Sequence, residues 1–298
     1  MKPAGGAGRH PLGRPSVSPN RSSPRGGPAA RRLRRWMPRA AIMAGVLVLT
    51  TGCKSTAFTR LGMVPPVTKQ GKVVLTLWQG SWIAAWAVGI VVWGLIVAAV
   101  IFYRKRSDQI PHQVRYNLPI EITYTVLPFI MIGVLFFFTA RDENYINKLS
   151  PHPDVVVDVT GFQWSWQFQY PQYKLGSTDN VVTEQGKMWQ PGTNVASDGL
   201  PMMEIPVGQT VRFNLTSVDV DHAFWIVPFE FKRDLIPGHP NHFEVTPTST
   251  GTFTGRCTEL CGLYHSRMLF RVKIVTPAQF RQWISTQQAL QSASGGTQ

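Results

Sequence analysis

Apolar positions along the chain fall into three regimes. From Ala40 to Thr51 they run together for about a dozen residues, short of the roughly 20 that a helix needs to cross a bilayer. From Gly80 to Tyr103 and from Pro119 to Ala140 the runs are long enough, and Ile83 to Phe102 carries no charge. Beyond Val155 the pattern changes to alternation. Val155–Thr160, Thr210–Leu215 and Leu269–Val275 are β-branched and alternate as half-buried strands do. Pro, Gly and Asn punctuate 171–202 and Pro237–Asn241. The pattern predicts a transmembrane α-helical hairpin over 80–140, then an all-β sandwich of antiparallel character over 150–290. Thr276-Pro277, an N-cap followed by a first-turn proline, predicts a short helix to about Leu290, with a disordered tail over 291–298.

Charge refines the first regime. The 298-residue chain has a net charge of +14, yet ten of its 30 basic residues lie between Lys2 and Arg39, with no acid before Asp108. The other 20 stand against 16 acids, a balance of +4. The basic excess is therefore a leader, rich also in Pro, Gly and Ser, and not a nucleic-acid surface. Residues 1–52 read as a signal peptide with the short apolar run as its core. It ends Leu49-Thr-Thr-Gly-Cys53, which resembles a bacterial lipobox. Thr50 stands where that motif usually has Leu, and Cys53 becomes a lipidated mature N-terminus. Trp78, Trp82 and Trp86 gather at one end of the first span, an interfacial aromatic belt, and Arg104-Lys-Arg106 follow its other end. The positive-inside rule then puts 107–118 in the cytoplasm and leaves 53–79 and the C-terminal half outside a bacterial cell membrane. Glu121 enters the second span near its cytoplasmic end. An acid there either snorkels to the interface or serves ion movement.

The chemistry is concentrated in Cys257-Thr-Glu-Leu-Cys-Gly-Leu-Tyr-His-Ser-Arg-Met268, a C-x-E-x-C-x3-H-x2-M spacing. Thiolate, imidazole and thioether form a soft donor set that favours copper over Mg or Ca. Two thiolates on one tight loop can bridge two metal ions if a second histidine arrives from elsewhere, and His222 is the candidate. A disulfide explains Cys257 and Cys261 but not His265 and Met268. A Cys/His zinc site has no use for the methionine.

This loop resembles that of the cytochrome c oxidase subunit II family, whose fold is a cupredoxin-like sandwich behind two transmembrane helices. The resemblance runs from about residue 75 to 285. It implies two copper ions, the copper A centre, bridged by Cys257 and Cys261, with His222 and His265 one to each ion. Met268 and the backbone carbonyl of Glu259 would be weak axial ligands. It also implies a Mg²⁺ shared with subunit I through the Glu259 carboxylate. Glu121-Ile-Thr-Tyr-Thr-Val-Leu-Pro128 matches the family's E-x-x-x-T-x-L-P pattern at the mouth of a proton path into subunit I. In Gly161-Phe-Gln-Trp-Ser-Trp-Gln-Phe-Gln-Tyr170 an aromatic strand would put Trp164 and Trp166 on one face, with Phe162 and Phe168. Both tryptophans are electron-entry candidates. The resemblance selects Trp164 for the outer position, although Phe162 stands where the family favours a polar residue.

The implied function is electron entry into a haem–copper oxidase. Cytochrome c would reduce the copper pair, haem in subunit I would follow, and oxygen reduction with proton translocation would occur in subunit I. Subunits I and III, cytochrome c and membrane lipid are the implied partners. Glu230–Pro237, which reads as a charged turn, resembles the actinobacterial branch, where the donor is often a tethered dihaem cytochrome c. Nitrous oxide reductase shares the copper loop but needs more than the seven histidines here. A quinol oxidase subunit lacks the two cysteines, and a copper carrier would have no use for the hairpin. His239 and His242 read as surface residues.

Overall fold

The computed structural model describes residues 55–110, 112–194 and 199–295. The leader and Cys53 lie outside the described residues. Among the described residues four α-helices and ten strands follow in chain order: α1 Ser55–Thr59, α2 Lys69–Phe102 and α3 Leu118–Ile146, then the strands, then α4 Pro277–Gly295.

The two long helices are long and apolar enough to cross a membrane, and they carry exposed Val, Ile, Leu and Phe around their circumference. A surface of that length and polarity is stable in hydrocarbon rather than water. Helix α2 begins at Lys69, well before Gly80, where the apolar span begins. Thr68 caps it by accepting the Gly71 N–H at 2.9 Å. Long-range backbone bonds fix that start: Val67 donates to Pro228 O at 3.0 Å, Lys69 to Thr246 O at 3.0 Å, and Thr248 to Val67 O at 2.7 Å. Gly71 is required here, because a Cβ would stand 2.8 Å from Phe229 O. The first membrane helix thus grows out of the sandwich instead of hanging from a loose linker. Helix α3 contains Pro128 and is capped by Asn117, whose side chain accepts from Ile120 N.

The sandwich has two five-stranded sheets. One runs β3 (Val181–Gln185), β2 (Ser165–Lys174), β1 (Val155–Phe162), β5 (Val211–Ser217), β8 (Asn241–Val245). The other runs β4 (Met202–Pro206), β10 (Leu269–Val275), β9 (Gly251–Cys257), β6 (His222–Ile226), β7 (Phe231–Leu235). Most neighbours are antiparallel, but β1 pairs β5 and β4 pairs β10 in parallel. Inward positions alternate along β1 and β5 and meet the opposite sheet in an aromatic core. Phe224 stacks on Phe270 with ring centres 4.6 Å apart, and Trp166 meets Phe270 at 5.2 Å. Gly255 leaves room for Phe270, whose ring would lie 2.0 Å from any Cβ there.

An ion pair with a buried carboxylate ties the sandwich to Ser150, shortly after the end of α3. Arg212 donates to Glu244 at 2.9 and 2.6 Å, and Glu244 in turn accepts the Ser150 N–H at 2.8 Å. Glu244 is 3 % exposed, so removing its partner would leave an unpaired buried charge, a change that costs about 3–5 kcal/mol.

Three local expectations change. Phe162 to Phe168 is not one strand. The chain turns at Gln163-Trp164, so Phe162 closes β1 and Ser165 opens β2, and Trp164 and Trp166 do not share a face. Phe231–Leu235 is strand β7, at the edge of its sheet, not a turn. Helix α4 continues to Gly295 instead of ending near Leu290, because Gln291 accepts from Thr183 N and donates to Thr183 O, both at 3.0 Å.

Candidate metal centre

Strand β9 ends at Cys257 and β10 begins at Leu269, so residues 258–268 form the loop between two hydrogen-bonded neighbours. The Cys257 N–H donates to Met268 O at 3.1 Å and pinches the loop shut. His222 opens β6, the strand on the other side of β9. This register brings the remote histidine to the loop, and it is why a residue 35 positions away belongs to the cluster.

The donors form a continuous chain. Cys257 Sγ and Cys261 Sγ are 3.8 Å apart, His222 Nδ1 is 3.8 Å from Cys257 Sγ, and His265 Nδ1 is 3.6 Å from Cys261 Sγ. Met268 Sδ stands 3.8 Å from Cys261 Sγ, and Glu259 O 3.2 Å from Cys257 Sγ. The donors of His222, Cys257 and Cys261 lie within 4.8 Å of one another. All three residues are buried, as is Met268, while His265 is half-buried.

Both cysteines are free, and their separation far exceeds the roughly 2.05 Å of a disulfide. With metal–sulfur bonds of about 2.3 Å, one ion can reach both sulfurs. Soft sulfur and imidazole donors in a dry setting fit copper, and the thioether fits it better than zinc. Without metal, the two thiols differ. Burial raises Cys257, but hydrogen bonds with His222 and the Ala223 backbone outweigh it and hold the thiol below its ordinary value. Burial and the neighbouring Cys257 push Cys261 up to about 12. Metal loading must therefore expel a proton from Cys261, so it is favoured by rising pH.

Asp219 orients the buried histidine. Its Oδ1 lies 2.8 Å from His222 Nε2, which leaves Nδ1 facing the sulfurs. The carboxylate also accepts the backbone N–H of Gln163 at 2.6 Å and of Val220 at 2.7 Å. Burial raises the Asp219 carboxyl, and these bonds outweigh it and leave it lowered. Burial works against a charged His222 ring, yet its bonds to Cys257 and Asp219 leave it raised. Asp219→Ala is expected to weaken copper binding about 10–100-fold, the usual range for such outer partners, in a chelator-competition titration. Unchanged affinity would mean that packing alone orients the ring.

The β1–β2 turn covers the loop. Gln163 Nε2 donates to Cys261 O at 2.8 Å, and Trp164 Nε1 donates to the same oxygen at 3.1 Å. The Trp164 ring meets Tyr264 edge-on, 4.8 Å between centres, and Arg267 lies over Tyr264 at 4.8 Å. Gly262, at φ +116°, lets the turn approach, since a Cβ would sit 3.2 Å from Gln163 Nε2. Trp166 is fully buried and donates to Met268 O at 3.3 Å. One tryptophan is in the core and the other at the rim.

The remaining candidates lie apart from the cluster. Glu121 sits in the first turn of α3, where its Oε1 accepts the Asn117 N–H at 3.0 Å and helps to cap the helix. His239 and His242 are exposed, and the Glu259 side chain faces solvent while its carbonyl faces the sulfurs. Asp219, Gln163 and Tyr264 are the functional neighbours that the sequence reading missed. Only Asp219 carried a signal, an acid three residues before the histidine, and Asp221 competes with it.

Residues 155–275 match the family model described as cytochrome c oxidase subunit II, periplasmic domain. A probable cytochrome c oxidase subunit 2 of Streptomyces avermitilis is 47 % identical over 292 residues, which cover 89 % of this chain and 90 % of the relative. Cytochrome c oxidase subunit 2 of Mycobacterium tuberculosis is 34 % identical over 313 residues, covering 89 % and 84 %. The crystal structure of the periplasmic domain of subunit II of cytochrome oxidase from Bradyrhizobium japonicum is 31 % identical. It covers 47 % of this chain and 98 % of that domain, with a TM-score of 0.41.

Proposed function

The chain belongs to the cytochrome c oxidase subunit II family, and from that premise we propose that it is the electron-entry subunit of a haem–copper oxidase. The observation that carries this reading is the buried chain of donors from His222 through Cys257 and Cys261 to His265, with Met268 and Glu259 O beside it. Two copper ions held there would accept and return one electron spread over two metals and two sulfurs, with little change of geometry. The protein's own residues supply the rest. Cys257 and Cys261 would hold the copper with their thiolates, His222 and His265 would each supply an imidazole nitrogen, and Asp219 fixes the tautomer of His222. Trp164 contacts the backbone of Cys261 and faces the incoming donor. Its ring is the route inward, while Trp166 lies in the core and donates to Met268 O.

Cytochrome c is the donor, in free or tethered form, and the electron leaves toward haem in subunit I, with subunit III in the same assembly. The sandwich lies on the extracytoplasmic side, with Arg104-Lys-Arg106 inside. The exposed Glu259 carboxylate offers a hard oxygen to a Mg²⁺ shared with subunit I, which metal analysis of the assembled complex tests. The soluble segment 150–298, refolded with copper, should be purple and give a seven-line copper EPR signal. A colourless protein binding zinc alone would overturn the reading. Copper content separates it from a quinol oxidase, and copurification with a haem-bearing subunit separates it from a carrier.

Two further proposals attach to the membrane part. Glu121→Gln should slow turnover severalfold in proteoliposomes while copper content and assembly stay normal. Glutamine can still cap the helix, so a loss would report the proton and not the fold. Unchanged turnover would leave Glu121 a capping residue. The mature chain should begin at a lipidated Cys53, and an intact mass that retains Arg39 would exclude it.

A further inference from the structure

Glu230 breaks two local rules at once. It follows the short 3-10 turn Val227–Phe229 at φ +57°, ψ +25°, a left-handed conformation that costs a non-glycine residue about 1 kcal/mol or more. Both its carboxylate oxygens are sealed from solvent, and no hydrogen-bond donor among the described residues reaches them. Sealed, unpartnered oxygens favour the neutral carboxylic acid over the ion. The residue lies where the sandwich meets the membrane helices, one position beyond Phe229, whose carbonyl abuts Gly71 of α2.

The charges around it are few. Arg60 belongs to the arm before α2, and its Nε donates to Met63 O at 3.0 Å instead of to Glu230. Lys69 and Lys72 on α2 are exposed, Arg256 on β9 lies over Trp225, and Lys232 and Arg233 follow on β7. Burial raises the Glu230 carboxyl to about 7, and Arg60 is the one charge that pulls it down. The arm is itself held to α2, since Gln79 Nε2 donates to Thr59 O at 2.8 Å and Trp78 Nε1 to Leu61 O at 3.4 Å.

We propose that Glu230 is a proton-holding site at the membrane end of the sandwich, enclosed as the neutral acid and giving its proton to water as the external pH rises, with the Arg60 cation favouring the ion. Reprotonation restores the enclosed acid.

Infrared pH titration of the intact purified assembly tests this, with Glu230→Gln and Glu230→Gly beside the native protein. Glycine suits the left-handed position, so its variant keeps the turn even if glutamine disturbs it. A protonated-carboxyl band should be present at pH 6 in the native protein, absent in both variants, and lost with a midpoint near neutrality. Arg60→Gln should move that midpoint upward, because the cation that favours the ion is gone. No difference between native and Glu230→Gly at pH 6, or a midpoint in the ordinary carboxylate range, would overturn the proposal. So would a midpoint indifferent to Arg60→Gln.

Discussion

If the loop holds the two copper ions proposed for it, Cys261→Ser should leave one at most and abolish the expected purple colour and seven-line signal, while the sandwich stays folded. The expectation rests on the position of Cys261 within the cluster. Its sulfur stands 3.8 Å from Cys257 Sγ, 3.6 Å from His265 Nδ1 and 3.8 Å from Met268 Sδ, so it is the hub of one half of the site. A serine oxygen is a harder and poorer donor to copper and would stay protonated. Folding should survive because Cys261 lies on the loop, outside the hydrogen-bonded strands, and single substitutions typically cost about 1 kcal/mol. Cys257→Ser is the comparison. Cys257 ends β9 and its sulfur is the partner of His222, so its loss should free the other histidine and retain a different residual site. Metal analysis and EPR on both variants read the outcome. Two ions retained in Cys261→Ser would sink the bridging assignment.

Most of this centre was legible because it is local. Five of its six donors fall within twelve residues, and the sixth, His222, was assigned through the resemblance to the family. Strand β10 was legible for a related reason. Phe270 to Ile274 alternates apolar with charged, and alternation is a property of the chain itself. What escaped was set by distant contacts. The β1–β2 turn has neither Gly nor Pro at Gln163-Trp164, so the sequence shows no break. The turn is held by Asp219, 56 positions on. Strand β7 reads as a turn because it is charged. As the edge of its sheet it pairs only with β6, and charge is a common feature of edge strands. The early start of α2 depends on Pro228 and Thr246, and the late end of α4 on Thr183. Neither anchor can be read from the helix that it fixes.

Trp164→Ala should slow reduction of the copper centre by its natural donor far more than it weakens docking. Cys257, Cys261 and Met268 are buried beneath the loop, out of reach of any partner's redox group. Trp164 is a direct link between rim and site, since its Nε1 bonds the carbonyl of Cys261, one of the two sulfur-bearing residues at the centre. Its ring also meets Tyr264, and Leu260 and Leu263 beside it are 79 % and 78 % exposed, an apolar rim suited to a transient, partly desolvated contact. Tryptophan is a favoured anchor in such contacts, so some loss of affinity is expected. A hot spot of about 2 kcal/mol would account for a fall of roughly 30-fold. Electron entry should fall beyond that, while the copper spectrum and the onward transfer to haem stay intact. Gln163 still donates to Cys261 O in the variant, which keeps the loop closed and separates the electronic role from the structural one. Trp166→Phe is the control. It removes the bond to Met268 O from the core side and should disturb the spectrum or the stability without a selective effect on entry. Stopped-flow reduction beside a binding assay reads both variants. A rate that falls only in step with affinity would make Trp164 a docking residue, and an unfolded Trp164→Ala would return it to the core.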